Sequence, residues 1–322
     1  MKKLTKLLST VAAIASLGLL AACDNTSTKA DNGQKIIKIG ILQQINQQAL
    51  DDARKGFTAE LKANGYQDGK NIKIDYLNAQ GDQSNLKTMS DRLKNDHNDL
   101  NLAIATSAAQ AVQKADPNTP LVFTAITDPK SAGLVTNLNK PDMNATGVTD
   151  MVDVAGQIKL IKKLAPKAKT VGLLYNAAEA NSTMQIKLAR AALKVQGYKI
   201  EAKTVSSTND VQQTTEALAK KVDAIYIPAD NTVAAAMATV GKVTAETKTP
   251  VVPAASTMVQ DGGTATNGIS YYQLGKQTAK MAIKIIKGKK PAQLAVESPA
   301  KVQVVINKSQ MQKQGIAVSS VK

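Results

Sequence analysis

The chain has 322 residues, 43% of them hydrophobic and 20% charged, with a formal net charge of +16. That is enough ordinary globular sequence for two domains, and it excludes disordered and collagen-like architectures. One Cys and one His exclude a disulfide framework and thiolate-rich metal sites, so neither metal nor cofactor is expected.

Lys2, Lys3 and Lys6 precede an uncharged, mostly apolar stretch from Leu7 to Leu20, and Leu20-Ala21-Ala22-Cys23 follows. The stretch is short of the ~20 residues a spanning helix needs. Residues 1–22 therefore read as a secretory signal. The Leu-Ala-Ala-Cys run resembles a bacterial lipobox, which implies that Cys23 is lipidated and becomes the mature N-terminus. Two acyl chains, at ~0.8 kcal/mol per buried methylene, would hold the protein at the outer face of the cell membrane. Residues 23–35 then form the lipidated Cys and a polar tether. The positive charge is almost all Lys, with Arg only at Arg54, Arg92 and Arg190, and it is scattered along helices. A nucleic-acid partner would want a concentrated stripe with interleaved aromatics, so none is expected.

Downstream, apolar runs alternate with segments of helical period, the pattern of parallel sheets flanked by helices. Ile36 to Leu42 reads as the first strand. A helix follows with Leu50, Ala53, Phe57 and Leu61 on one face, closed by Gly65. Ile72 to Leu77 is a strand, Ser84 to Lys94 a helix, and Leu102 to Ala105 and Leu121 to Ala125 continue the series. The second half repeats this grammar: Ile39-Gly40-Ile41-Leu42 matches Val171-Gly172-Leu173-Leu174, and Leu61 to Tyr66 matches Leu193 to Tyr198 at the same spacing. Two tandem α/β, Rossmann-like lobes with parallel sheets are the expected fold. A single helix is expected over Asn231 to Lys248.

Ligands of open parallel sheets sit beyond the carboxyl ends of the strands. The residues there are small and polar: Gln43-Gln44, Asn78, Thr106-Ser107-Ala108, Thr127-Asp128, Tyr175-Asn176, Pro228 to Thr232, Ala255-Ser256 and Ser270-Tyr271-Tyr272. Several also open helices, where backbone N–H groups favour a carboxylate. Ser107 and Thr232 fit either that role or plain capping.

The lipobox, the tether and the two lobes together resemble the substrate-binding lipoproteins of ABC importers with the type I periplasmic-binding-protein fold. Lys38 to Gln43, Thr124 to Pro129, Thr146 to Asp150, Tyr226 to Asn231 and Tyr271 to Gly275 resemble the branch that includes Gram-positive tryptophan and aromatic amino-acid binders. The resemblance implies a hinged cleft and three chain crossings near residues 148, 270 and 295. The lobes would be 36–148 with 271–294, and 149–270 with 295–322. It also implies an ABC permease and an ATPase as partners, a membrane held through the N-terminal lipid, and an amino acid as ligand.

An amino acid needs an anion site, an ammonium acceptor and a shaped wall. Ser107, Ala108 and Thr127 can offer donors to the carboxylate. Asp230 is the expected ammonium acceptor and Asp128 the reserve, each weighed against a capping or turn role. Tyr175, Tyr271 and Tyr272 can stack on an aromatic side chain, one of the last two being core packing. Glu179, Asn181 and Ser182 either contact ligand or start a helix. Gln43, Gln44, Asn176, Asn231 and Ser256 complete the candidates. A sugar or nucleoside binder, a surface adhesin and a secreted enzyme are the alternatives. His97 lies in a polar segment, and no nucleophile elbow or complete phosphate loop is present.

Overall fold

The computed structural model describes residues 35–321; the expected signal segment, Cys23 and tether residues 24–34 lie outside the described residues. The first half runs β1 (Ile37–Gln43), α1 (Gln48–Ala63), β2 (Ile72–Asn78), α2 (Gln83–Asn95), β3 (Leu100–Ile104), α3 (Thr106–Ala115), β4 (Leu121–Ile126) and β5 (Ala145–Thr149). Its strands form one parallel sheet in the order β2-β1-β3-β4-β5. β3 and β4 are buried along their whole length, which is why they read as unbroken apolar runs rather than alternating ones.

The second half runs α4 (Val154–Leu164), β6 (Thr170–Asn176), α5 (Ala180–Val195), β7 (Lys199–Val205), α6 (Val211–Ala219), β8 (Ala224–Ile227), α7 (Asn231–Ala235), α8 (Met237–Glu246), β9 (Val251–Pro253) and α9 (Ser256–Gln260). A second parallel sheet has the order β7-β6-β8-β9. The chain ends with β10 (Ala265–Gly268), α10 (Tyr271–Ile286), β11 (Gln303–Ile306) and α11 (Lys308–Gln314), β10 and β11 pairing antiparallel. The fold is thus α/β with two parallel-sheet lobes, as the alternation of strand and helix patterns requires.

The internal repeat is physical. α1 and α5 end on the same device: Gly65 and Gly197 take φ of 87° and 76°, where a side chain would be strained. The following Tyr66 and Tyr198 N–H groups then donate back to Leu61 O at 3.0 Å and Leu193 O at 3.1 Å.

The helix expected over Asn231 to Lys248 is two helices, α7 and α8, broken at Ala236 with φ −113° and ψ 18°. Ala234-Ala235-Ala236 carries no large apolar side chain to hold one continuous face, while Val233 and Met237 on either side are both buried.

The first lobe is closed by α10, which packs on α1 at backbone contact. A Cβ on Gly56 would run into Tyr272 O, and one on Gly275 into Ala53 O. Lys276 Nζ reaches Glu60 Oε2 at 3.1 Å across the pair. Residues past α10 return along β5: Leu294 O accepts from Thr146 Oγ1 at 2.8 Å, and Glu297 O accepts from Thr149 N at 2.9 Å. Among the described residues no helix is long and apolar enough to cross a membrane.

Candidate functional site

Residues at and just beyond the carboxyl ends of the strands from both lobes line a tight cavity of about 10 Å³. The first half supplies Gln47, Ala49, Leu50, Ala125 and Asp150. The second supplies Asn181, Ala229, Asp230, Asn231, Ala234, Ala255 and Met258, with Tyr271 from the start of α10. A second chamber of about 300 Å³ lies between Thr106, Asp128, Ser131 and Ala132 of the first half and Ala180, Asn181, Thr183, Met184 and Lys187 of the second. Asn181 lines both.

The second-lobe wall is acidic. Asp230 opens α7, its Oδ1 accepting from Val233 N at 2.8 Å. Its Oδ2 accepts from Asn176 N at 2.6 Å and Ser182 Oγ at 2.7 Å. The capping role weighed for Asp230 is therefore real, and it coexists with a place in the cavity wall: Oδ1 holds one bond where a carboxylate oxygen can take two. Burial, and then the charge of Glu179 nearby, push the Asp230 carboxyl up to about 8. Glu179 itself is saturated by Asn231 N and Nδ2, Thr232 N and Oγ1, and Asn181 Nδ2. Among the described residues no Lys, Arg or His pairs with either carboxylate. Asn181 donates to Ala229 O at 2.7 Å, next to Asp230, while its buried Oδ1 has no partner among the described residues. This wall offers acceptors and lacks a cation.

The first-lobe wall offers donors. α3 begins at Thr106 with no side-chain cap, so its first-turn N–H groups have no intrahelical partner. Thr106 is 2% exposed, and its Oγ1 has no partner among the described residues. Ala105 just before it has φ 84°, and Ala125 in β4 has φ 57° beside the register shift between Thr124 and Ile126. Each such alanine costs of order 1–3 kcal/mol, a strain found where a backbone is held for binding.

At the hinge, Asp150 accepts from Thr127 Oγ1 at 3.1 Å and from Tyr271 Oη at 2.9 Å. Burial raises the carboxyl's pKa against the lowering effect of those two bonds. Burial also raises Tyr271, with the Asp150 charge adding to it.

The structure gathers Asn181, Asp230, Asn231 and Tyr271 around the first cavity, and Asn176, Glu179 and Ser182 immediately behind that wall. Thr127 reaches the cavity only through Asp150. Asp128 lines the second chamber, but its carboxylate is spent on its own turn, accepting from Lys130 N, Ser131 N and Ser131 Oγ. Gln43 is buried and engaged with Ile45 O, Asp51 and Arg54, so its amide holds the loop instead of facing the cavity. Gln44 is buried beside it, its Oε1 without a partner among the described residues. Ser256 spends its hydroxyl on Ile269 O. The Ala108 methyl packs in the first-lobe core with Leu42, Val112 and Phe123, leaving only its N–H toward the α3 terminus. Ser107 turns into the groove between α2 and α3. Tyr175 packs on the second-lobe core and lines an outer groove with Ile186, Arg190 and Lys194. Tyr272 is 39% exposed on α10 and does not line the cavity. Sequence reasoning passed over Gln47, Leu50 and Met258 as site residues. Gln47 lies beyond the strand end on the loop into α1, and its Nε2 donates to Asn231 Oδ1 across the lobes at 3.2 Å.

Two parallel-sheet lobes with polar cavities lined by residues of both define a two-domain binding protein of the type I periplasmic-binding-protein architecture. The family model for ABC transporter substrate binding proteins matches residues 38–321, and the chain belongs to that family. It is 35% identical to a tyrosine-binding protein of Clostridioides difficile over 315 residues, covering 95% of this chain and 91% of that one. A Streptococcus pneumoniae protein solved in complex with L-Trp is 41% identical, covers 89% of this chain and 97% of its own, and superposes with a TM-score of 0.85. The ligand-free, open structure of a Clostridium difficile substrate-binding protein with adhesive properties is 38% identical over 88% of this chain and 96% of that one, yet its TM-score is 0.67. At similar identity, this chain superposes more closely on the liganded relative than on the open one.

Proposed function

We propose that the chain is an extracytoplasmic lipoprotein, anchored through Cys23, that captures an aromatic amino acid between its lobes and delivers it unchanged to an ABC permease driven by an ATPase subunit. The observation that carries this reading is the division of labour across the cavity. The second lobe presents Asp230 Oδ1 and the orphan Asn181 Oδ1, acceptors without a cation, and the first presents the uncapped α3 terminus and the orphan Thr106 hydroxyl. A zwitterion complements both: its ammonium takes the acceptors and its carboxylate the donors. Leu50, Met258 and five alanines, Ala49, Ala125, Ala229, Ala234 and Ala255, add apolar surface beside the ring of Tyr271 in an otherwise polar lining. The tyrosine and tryptophan named for the relatives support the same ligand class. Ligand contacts to both lobes stabilise the closed form, and that form is the one offered to the permease.

Calorimetry against the twenty amino acids, with common sugars and nucleosides alongside, tests the reading. Aromatic amino acids should bind at micromolar or tighter dissociation constants and be recovered chemically unchanged. Asp230→Ala should weaken binding more than tenfold. Heat only from a sugar or nucleoside would refute the ligand class. Labelling of the native protein by radioactive palmitate, lost in Cys23→Ala, tests the anchor.

A further inference from the structure

The zwitterion leaves one buried carboxylate in the cavity unused. We propose that Asp150 accepts a hydrogen bond from a donor on the ligand's ring, so that the site selects tyrosine- or tryptophan-like side chains over phenylalanine. The inference rests on the amino-acid reading above and adds the residue that reads the ring. Asp150 follows β5 at the first crossing, is 5% exposed and lines the chamber on the side of Leu50, Ala125 and Tyr271, with the polar Asn181, Asp230 and Asn231 supplied by the second half. Each of its oxygens holds one side-chain bond, Oδ1 from Thr127 and Oδ2 from Tyr271. A carboxylate can take about four, so acceptor capacity remains.

Three features set it apart from a merely structural carboxylate. No cation among the described residues balances it. Its two donors come from the chain after β4 and from the start of α10, and Asp150 N is itself held by Ile126 O at 3.1 Å, so its direction is fixed. The ammonium acceptors, Asp230 and Asn181, both belong to the second lobe, so binding of the head does not consume Asp150. Among aromatic amino acids, the tyrosine O–H and the tryptophan N–H can donate to it. Phenylalanine offers only a C–H edge, leaving a desolvated carboxylate under-satisfied. A site built to bond a ring donor rejects the analogue lacking it far more strongly than a pocket that senses size.

The test is calorimetry with L-tyrosine, L-tryptophan, L-phenylalanine and 4-fluoro-L-phenylalanine on the wild type and on Asp150→Asn. The fluoro compound has nearly the size of tyrosine without its donor. In the wild type, tyrosine or tryptophan should bind at least about tenfold tighter than both phenylalanines. In Asp150→Asn the gap should shrink to within about threefold, through loss of tyrosine or tryptophan affinity with phenylalanine unchanged, because a neutral acceptor makes a weaker bond than a charged one. Phenylalanine binding as tightly as the other two in the wild type overturns the assignment, and so does a gap that survives in Asp150→Asn. The wild-type panel decides the matter alone should the variant fail to fold. Absence of binding to every amino acid would remove the amino-acid reading itself, and this inference with it; binding without ring preference removes only the role of Asp150.

Discussion

Asp230 gives the site a pH signature that can be worked out in advance. An ordinary aspartate titrates near 3.8, whereas burial and Glu179 push this one up to about 8 in the folded protein. The folded state therefore holds a proton that the unfolded chain has lost between those values. A raised acid contributes its full stability below about pH 4 and loses it progressively as pH rises through about 8. At ~1.4 kcal/mol per tenfold change in proton affinity, the ceiling on that loss is ~6 kcal/mol. Even a third of it moves the melting temperature by roughly 4 °C in a protein of this size. Asp230→Asn removes the titration and adds a fixed cost. One end of the amide must meet Val233 N or the Asn176 N and Ser182 Oγ pair as a donor against donors, at about 1–3 kcal/mol. Differential scanning calorimetry of ligand-free protein from pH 5 to 9 should thus show the variant less stable at pH 5, with the curves converging or crossing above pH 8. Asp150, also raised by burial, contributes to both curves and cancels in their difference. Saturating amino acid should flatten the wild-type slope, since its ammonium supplies the missing counter-charge. A constant difference between the two proteins across that range would refute the argument.

Two further substitutions separate binding from folding. Thr106→Val keeps the shape of the side chain and deletes a buried hydroxyl that has no partner among the described residues, so the melting temperature of ligand-free protein should hold or rise while the amino-acid dissociation constant increases about fivefold by calorimetry. Gly275→Ala drives a methyl into Ala53 O where α10 meets α1 and should cost about 1–3 kcal/mol or more in urea unfolding, with affinity in the surviving folded protein within about twofold of wild type.

The parts of the fold most legible in the sequence were those where one local rule acts alone. Gly65 and Gly197 each end a helix at positive φ, and the matched strands Ile39–Leu42 and Val171–Leu174 take equivalent central places in their sheets. Inspecting the residues after each strand located Asp230, Asn181 and Tyr271 because strand direction alone sends those positions to one edge. Side-chain direction within that edge was not legible. On β6, Leu174 joins the interior shared with the first-lobe core residues and Tyr175, one residue on, turns to the opposite face against α5, as the two-residue period of a strand demands. Tyr271 and Tyr272 differ by one helical step, which places the first in the cavity and the second in solvent. Gln47 and Met258 escaped because they are reached only once a loop or a short helix has been placed against the other lobe. The backbone strain at Ala105 and Ala125 has no sequence signal, since alanine there looks like any small core residue.

Closure of this cleft works against the protein's own charges, which explains why a zwitterion would control it. Asp261, just past α9, is raised first by burial and then by the charge of Asp52 on α1, so two like charges approach one another between the lobes. On the favourable side, Gln47 to Asn231 is a neutral hydrogen bond with a net value of ~0.5–1.5 kcal/mol. Enclosing Asp230 beside Glu179 adds a desolvation cost that no resident cation among the described residues offsets. An ammonium relieves that cost only when the second-lobe wall is enclosed around it. A carboxylate rewards only the first lobe, through α3. On the proposed reading, a ligand carrying one charge and lacking the other would leave one wall unsatisfied, whereas a zwitterion would tie the two walls through a single molecule. Only contacts that differ between open and closed states can shift their balance, and on the proposed reading those contacts come in a pair of opposite sign.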